Sequence, residues 1–512
     1  MSPAVSPAMS PAQRAWTLAA VSMATFMTSL DNTVVNVALP SIQRDLGLTL
    51  AGLEWVTSAY ILVFASLLLA GGRLADLYGR RRLFLAGLSL FTAASLLAGL
   101  AGTEPVLLTG RVLQGIGAAL ATPATLALIP ATFLDAAQRN LAVGIWGAVA
   151  ALALAVGPLT GGFLSQHWHW GWIFFINVPV GTATLAIAAL AIPQPQPRSR
   201  DQSAGRHLDL AALTATTLAL FGATYALIQG HDTGWTAPPI LAALALTATA
   251  AGAFVVVEAR SRAPMVDLAL FANRVFAGGT LTLVLWALAV IGVYFFTALY
   301  LQTVLGFSPT LAGLAFVPMA LLMAGVAPLA TPLATRIGAN RTVAAGMALV
   351  AAGLLAAAHL GEHADFADLL PALTLLGIGS GLTMPLTASI LATLPSDRAG
   401  VAAAILNAAR EVAGLLGVTV IGAILTGQRA QALAAGATPS AAFLHGYSTG
   451  LRAAALLVAI GGTVSLATLD RRRRTARHPA LASISAERTF PTVEPSRADR
   501  AKANAEAPTT VS

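Results

Sequence analysis

The sequence predicts an all-α polytopic membrane protein of about fourteen transmembrane helices, built as two six-helix bundles with an inserted two-helix hairpin. Three observations predict it. Of the 512 residues, 57% are hydrophobic and only 10% charged, whereas a soluble domain carries about 25% charged residues. Apolar runs long enough to cross a bilayer recur along the chain, and the basic residues gather in alternate loops. The early and late spans also share residue patterns at a nearly constant offset of about 260 residues.

The spans follow in order from the arginine-rich loop Gly71–Arg82, which separates two apolar segments and marks the cytoplasmic face. Residues 1–15 read as a cytoplasmic tail and residues 16–192 as the first six-helix bundle. Its first span ends near Pro40, and its last follows the tryptophan-rich stretch His167–Trp172, which belongs at the outer interface. In that interfacial stretch His167 and His169 read as anchors rather than metal ligands, and Glu54, Trp55 and Tyr60 at the start of the second span likewise read as interface anchors. Residues 193–207, with alternating prolines and two arginines, form a polar linker. Residues 208–258 hold the inserted hairpin, and residues 275–470 the second bundle, its last span starting near Tyr447. Residues 471–512 are polar and rich in Pro, Ala and Ser, the composition of a disordered tail. Both termini fall on the cytoplasmic side by the distribution of arginine.

The repeat is specific in register. Gln43-x-x-Leu46-Gly47 returns as Gln302-x-x-Leu305-Gly306, and Gly79 returns as Gly338. Gly115-Ile-Gly-x-x-Leu-x-x-Pro-x-Thr125 returns as Gly377-Ile-Gly-x-x-Leu-x-x-Pro-x-Thr387. Duplicated bundles place a substrate site near the midplane between them and work by rocking.

Composition also excludes chemistry. The absence of cysteine rules out disulfides, thiol catalysis and cysteine-held zinc. No phosphate-cradling loop is present, so no nucleotide cofactor is expected, nor any metal. The net charge of +8 sits in membrane-flanking loops and one tail, which points to lipid rather than nucleic acid.

The residues that carry chemistry are few. Asp31 lies inside the first span, where a carboxylate is costly and marks a functional position. It sits about 13 Å below the outer end of its helix, and Arg111 about 9 Å below the outer end of the fourth, so the two can pair. Gln114 shares the face of Arg111 one turn on. Gly157-Pro158 bends the fifth span, and Gly161 and Gly162 permit close helix approach. In the arginine loop, Gly72, Asp76, Gly79 and Arg80 can form a cytoplasmic gate, with Asp76 paired to Arg80 or seated at a helix N-terminus. In the thirteenth span Asn407, Arg410, Gly414 and Gly417 share one helix face, and Glu411 is a second protonatable candidate whose plainer reading is a salt bridge with a neighbouring arginine.

Together, Leu30–Pro40, Gly72–Arg82, Arg111–Gly117, Gly157–Gly162 and Trp172–Gly181 resemble the fourteen-span drug:proton antiporter branch of the major facilitator superfamily. The resemblance implies the major facilitator fold and proton-driven export of drugs, antibiotics or similar amphipathic molecules by a monomer in the cytoplasmic membrane, with no enzyme activity. It implies proton and substrate coupling through Asp31, Arg111, Gln114 and Arg410, to which the residue reading adds Glu411, cavity-lining roles for Asn36 and Asn407, and sealing by the Gly157–Gly162 motif. The chain departs from the pattern at Leu77, where a basic residue is usual, and at Glu411, which replaces a neutral amide. A proton-coupled importer of a small metabolite and a non-transporting membrane sensor on the same scaffold remain the alternative readings.

Overall fold

A computed structural model describes residues 9–193, 209–261, 266–394 and 399–469, without the side chains of Asp76, Ala136, Asn140, Ala399 and Gly400. The linker, apart from Pro193, and the C-terminal tail lie outside the described residues, as does the side chain on which the Asp76 gate depends.

Seventeen α-helices and one short 3-10 turn (Leu268–Ala272) make up the described chain, and no strand occurs among the described residues. The first half comprises α1 (Pro11–Leu46), α2 (Leu50–Tyr78), α3 (Arg80–Gly99), α4 (Glu104–Thr132), α5 (Ala136–His167), α6 (Trp172–Phe175) and α7 (Asn177–Ala191). The hairpin is α8 (Leu210–Thr233) and α9 (Pro238–Arg260). The second half comprises α10 (Arg274–Thr303), α11 (Pro309–Ala315), α12 (Val317–Ile337), α13 (Ala339–Ala357), α14 (Phe366–Thr383), α15 (Pro385–Leu391), α16 (Ala399–Ala434) and α17 (Pro439–Thr468). Three spans are therefore broken, after Phe175, Ala315 and Thr383. Each break lies just ahead of a proline, Pro179, Pro318 or Pro385, whose ring and missing N–H interrupt the preceding turn. Counting each broken span once, thirteen segments among the described residues are long and apolar enough to cross a membrane. Helix α1, made more polar by Asp31, Asn32 and Asn36, packs along α5 among them and is the fourteenth.

Three boundaries differ from the sequence expectation. Helix α1 does not end near Pro40 but carries that proline inside it and runs on to Leu46, where Gly47 caps it at positive φ. Helix α1 starts at Pro11, inside the expected tail, because Ser10 and Gln13 form a reciprocal capping box and Pro11 suits the first helical position. Helix α17 starts at Pro439, not Tyr447, on the Thr438 cap. Hydropathy alone misses about the first two turns because Ser440 and His445 dilute them.

The duplication reaches the backbone. Gly47 and Gly306 both take a positive φ near 67–68°, and Gly79 and Gly338 near 96–97°, conformations that a side chain resists. Packing repeats as well: α1 lies on α5 as α10 lies on α16, and α3 lies on α4 as α13 lies on α14. A Cβ at Gly115 would strike α2 and one at Gly117 would strike α3, while Gly377 and Gly379 meet α12 and α13 in the same way. These glycines exist for close helix approach.

At the end remote from the arginine loop, a loop fastens the first half. The indole of Trp170 donates to Asp45 Oδ2 at 2.7 Å, and His169 Nε2 lies 3.1 Å from the same oxygen. The Trp170 and then the His169 hydrogen bond hold the Asp45 carboxyl below its ordinary 3.8. A lowered folded value means stabilisation that is present above the unfolded value and lost as pH falls through the folded one. Asp45→Asn is therefore expected to lower the melting temperature of the purified protein at neutral pH by no more than about 1–2 °C, since half-exposed pairs are screened. The difference between the two proteins should vanish once the pH drops below the carboxylate range.

Candidate functional site

The site is assembled from five helices of the first half. Asp31 of α1 is fully buried, as are Arg111 and Gln114 of α4. Arg111 Nη1 donates to Asp31 Oδ2 at 2.6 Å and to Gln114 Oε1 at 3.0 Å, and its Nε donates to the Val56 carbonyl of α2 at 2.9 Å. Gln114 Nε2 donates to Asp31 Oδ1 at 2.9 Å and to Ser95 Oγ of α3 at 2.9 Å. Asn177 Nδ2 of α7 donates to Asp31 Oδ1 at 3.2 Å. The Arg111 guanidinium lies 4.4 Å from the centre of the Tyr60 ring and 5.8 Å from that of Phe174.

Every polar atom of the acid is thus engaged and closed off from solvent. Such a pair is held by geometry: a buried ion pair gains enough Coulomb energy only when further hydrogen bonds satisfy both ions. The network can hold a proton or release it only if one of these bonds yields. Asp31, Arg111 and Gln114 come together as expected, although the expected depth of Asp31 counts from Pro40 and α1 continues to Leu46.

Three contributors escape sequence reasoning. Asn177 sits in the quoted stretch Trp172–Gly181, and an amide in an otherwise apolar run is the signal that would find it. Ser95 carries no signal of its own. Tyr60, read as an interface anchor, is 1% exposed and lies under Arg111. Trp55 packs on Phe221 of the inserted hairpin.

The remaining candidates fall elsewhere. On α16, Arg410 Nη2 donates to Glu411 Oε1 at 2.9 Å, with Arg410 about half exposed and Glu411 nearly buried. Ala408 and Leu415 of α16 pack into the same apolar cluster as Tyr60, so this ion pair stands at the junction of the halves and outside the Asp31 network. Asn407 is half-buried, and Asn36 is buried with its Oδ1 unpartnered. Arg80 Nη1 donates to the Ala127 carbonyl of α4, and Arg81 Nη2 to the Ala189 carbonyl of α7, both at 2.8 Å. A Cβ at Gly72 would come into ordinary contact with Pro123 of α4, and Gly79 turns the chain from α2 into α3.

The Gly157–Gly162 motif joins elements. A Cβ at Gly157 would meet Thr33, and one at Gly161 the Val34 carbonyl, both on α1. Gly162 faces the Pro309 carbonyl of α11, and the Pro158 carbonyl faces Gly313. Helix α5 is therefore pressed on the second half through Pro158 and Gly162. Gln302 Nε2 donates to the Val37 carbonyl at 2.7 Å, and Thr310 N to Gln166 Oε1 at 3.0 Å, at the same end. The symmetry-related seam, α2 against α16, carries Glu54 against Gly422. Towards the arginine-loop end, Gly144 and Gly147 of α5 and Gly325 of α12 have open space before them. The halves are in contact at the end remote from the arginine loop.

Duplicated bundles, closed at one end about a sealed acid–base network, define a membrane carrier of the alternating-access class. The chain belongs to the Major Facilitator Superfamily, whose family model matches residues 21–418. It is 36% identical over 491 residues to the puromycin resistance protein pur8 of Streptomyces alboniger, covering 93% of this chain and 95% of that protein. It is 37% identical over 410 residues to the multidrug resistance protein Stp of Mycobacterium tuberculosis, covering 80% and 75%. Among solved structures, a bacterial homologue of the human lysosomal transporter Spinster, in an inward-facing and unoccupied conformation, shares the fold with a TM-score of 0.63 at 17% identity, over 90% of this chain and 98% of that one.

Proposed function

We propose that this carrier exports drugs, antibiotics or similar amphipathic molecules from the cytoplasm in exchange for protons. The observation that carries the proposal is the buried Asp31–Arg111 pair, an acid that can be neutral or ionised only by remaking the network around it. Similarity to proteins named for antibiotic resistance and multidrug resistance supports the direction and the cargo. On this reading a proton arriving at Asp31 breaks its bond to Arg111 and loosens α4 from α1. Arg410, Glu411, Asn36 and Asn407 line the path between the halves, and the arginine loop with Gly72, Asp76, Gly79 and Arg80 closes its inner end. The contacts of Pro158 and Gly162 with α11 close the outer one, while Gly157 and Gly161 of the same motif hold α5 on α1. The protein acts as a monomer in the cytoplasmic membrane with both termini inside. Residues 16–192 and 275–470 are the rocking units, with 208–258 as an insertion at their seam.

Inverted vesicles energised to an acidic lumen test the exchange. Adding puromycin, or a lipophilic cationic dye, is expected to release luminal protons while the compound accumulates inside. Proton movement in the opposite sense, or none with compound uptake intact, would overturn it.

A further inference from the structure

The α2–α16 seam contains an acid that the Asp31 network does not use. Glu54 lies just over one turn inside the outer end of α2 and is 2% exposed, between Leu53 and Val56 at 0%. Gly422 of α16 lies directly on it: a Cβ there would overlap both carboxylate oxygens. No hydrogen-bond donor and no cation among the described residues meets this carboxyl, and Asp232 at the outer end of α8 adds a like charge.

The other charged or titratable groups on the helices around it are engaged or placed elsewhere. Arg429 of α16 lines an outer crevice with Gln43, Leu50 and Thr303. Glu104 of α4 faces Gly52, on another side of α2. Arg410 and Glu411 pair with each other, and Asp31 with Arg111. Tyr60 lies under Arg111. His231 is next to Asp232 on α8 and offers no counter-charge while neutral.

An ionised carboxylate enclosed without donors costs several kcal/mol. A metal cation would need several oxygen ligands, and the flanking side chains are apolar. The ligand that resolves the enclosure is a proton. When α2 and α16 separate at their outer ends, the same carboxyl meets outer water and can exchange it.

We propose that Glu54 is a second proton-binding site, filled from the outer side, and that filling it permits the outer end to close. The carboxylate takes a proton from hydronium, water leaves, and Gly422 then seats on the neutral acid. Emptying it at high outer pH holds the seam open. The inference deepens the exchange reading above and rests on its alternation between outer-open and inner-open states.

The test uses the other seam, so that the reporter does not touch Glu54. The chain has no cysteine, so Thr310→Cys supplies a unique thiol at a hydroxyl buried between α5 and α11. Its labelling by a membrane-impermeant maleimide from outside is expected to slow by about tenfold from about pH 8 to about pH 5.5, after correction for the intrinsic thiol reactivity of a permanently exposed control cysteine. Glu54→Gln should label slowly at both values, and Glu54→Leu should do the same, so that one misfolded variant does not decide the matter. Glu54→Asp should keep the pH dependence. Asp31→Asn should keep it too, which separates this site from the exchange reading: vesicles can fail to release protons while Glu54 still closes the seam. A wild-type pH dependence in Glu54→Gln or Glu54→Leu, or none in the wild type, overturns the proposal.

Discussion

Asp31→Asn is expected to reduce compound-driven proton release to background. The carboxylate accepts from three donors, Arg111, Gln114 and Asn177. An amide has one acceptor oxygen and must turn its own N–H2 towards at least one of those donors. The Arg111 guanidinium is then buried without its anion, a loss of about 3–5 kcal/mol. A fall in transport alone would therefore not separate a proton site from a structural pair. The double variant Asp31→Asn with Arg111→Gln separates them. It removes both charges and leaves a neutral network, which should recover most of the lost stability, because replacing both members of a buried pair is often nearly neutral. If Asp31 carries the exchanged proton, the double variant melts close to wild type and still releases no protons. If exchange returns with stability, the pair is only a brace, and the coupling role is gone.

How much of this was legible beforehand depends on what each residue owes to its neighbours. Asp31 and Arg111 are readable because a charge within an apolar span is improbable without a role, whereas the depth of Asp31 is misjudged from sequence because Pro40 does not end α1. Gln114 follows from its spacing to Arg111. Asn177 and Ser95 join only because α7 and α3 close around α1 and α4, and no spacing within one helix encodes that. Glu54 misleads for a different reason. It stands at the edge of its span, where a carboxylate usually meets water, and only the seam with α16 and the inserted α8 encloses it. The repeat identifies α8 and α9 as an insertion but does not say where they dock; Trp55 against Phe221 shows α8 on α2. The glycines of α4 and α14 are the opposite case. Their repeated pattern already implies a close approach, and the structure supplies the helices approached.

The Gly157–Gly162 motif yields the sharpest contrast between neighbouring positions. Gly161 and Gly162 are adjacent in sequence, yet a Cβ at Gly161 meets the Val34 carbonyl of its own bundle, and one at Gly162 meets the Pro309 carbonyl of the other. Overpacking costs about 1–3 kcal/mol in either case. At Gly161 the cost falls on every state that keeps α1 on α5, so Gly161→Ala should lower the melting temperature and leave the outer-open to outer-closed ratio alone. At Gly162 it falls only on the closed state, since the contact vanishes when the halves separate. Gly162→Ala should therefore shift the ratio towards outer-open by about five- to 150-fold, with little loss of stability, and Gly313→Ala, which meets the Pro158 carbonyl from the opposite side, should do the same. Leu53→Cys, buried in the α2–α16 seam, reports the shift away from the mutated contact as faster labelling from outside. Gly144→Ala, with open space before it, is the control and should change neither quantity. Equal labelling in Gly161→Ala and Gly162→Ala would show that the motif stiffens one bundle and has no part in closing the two together.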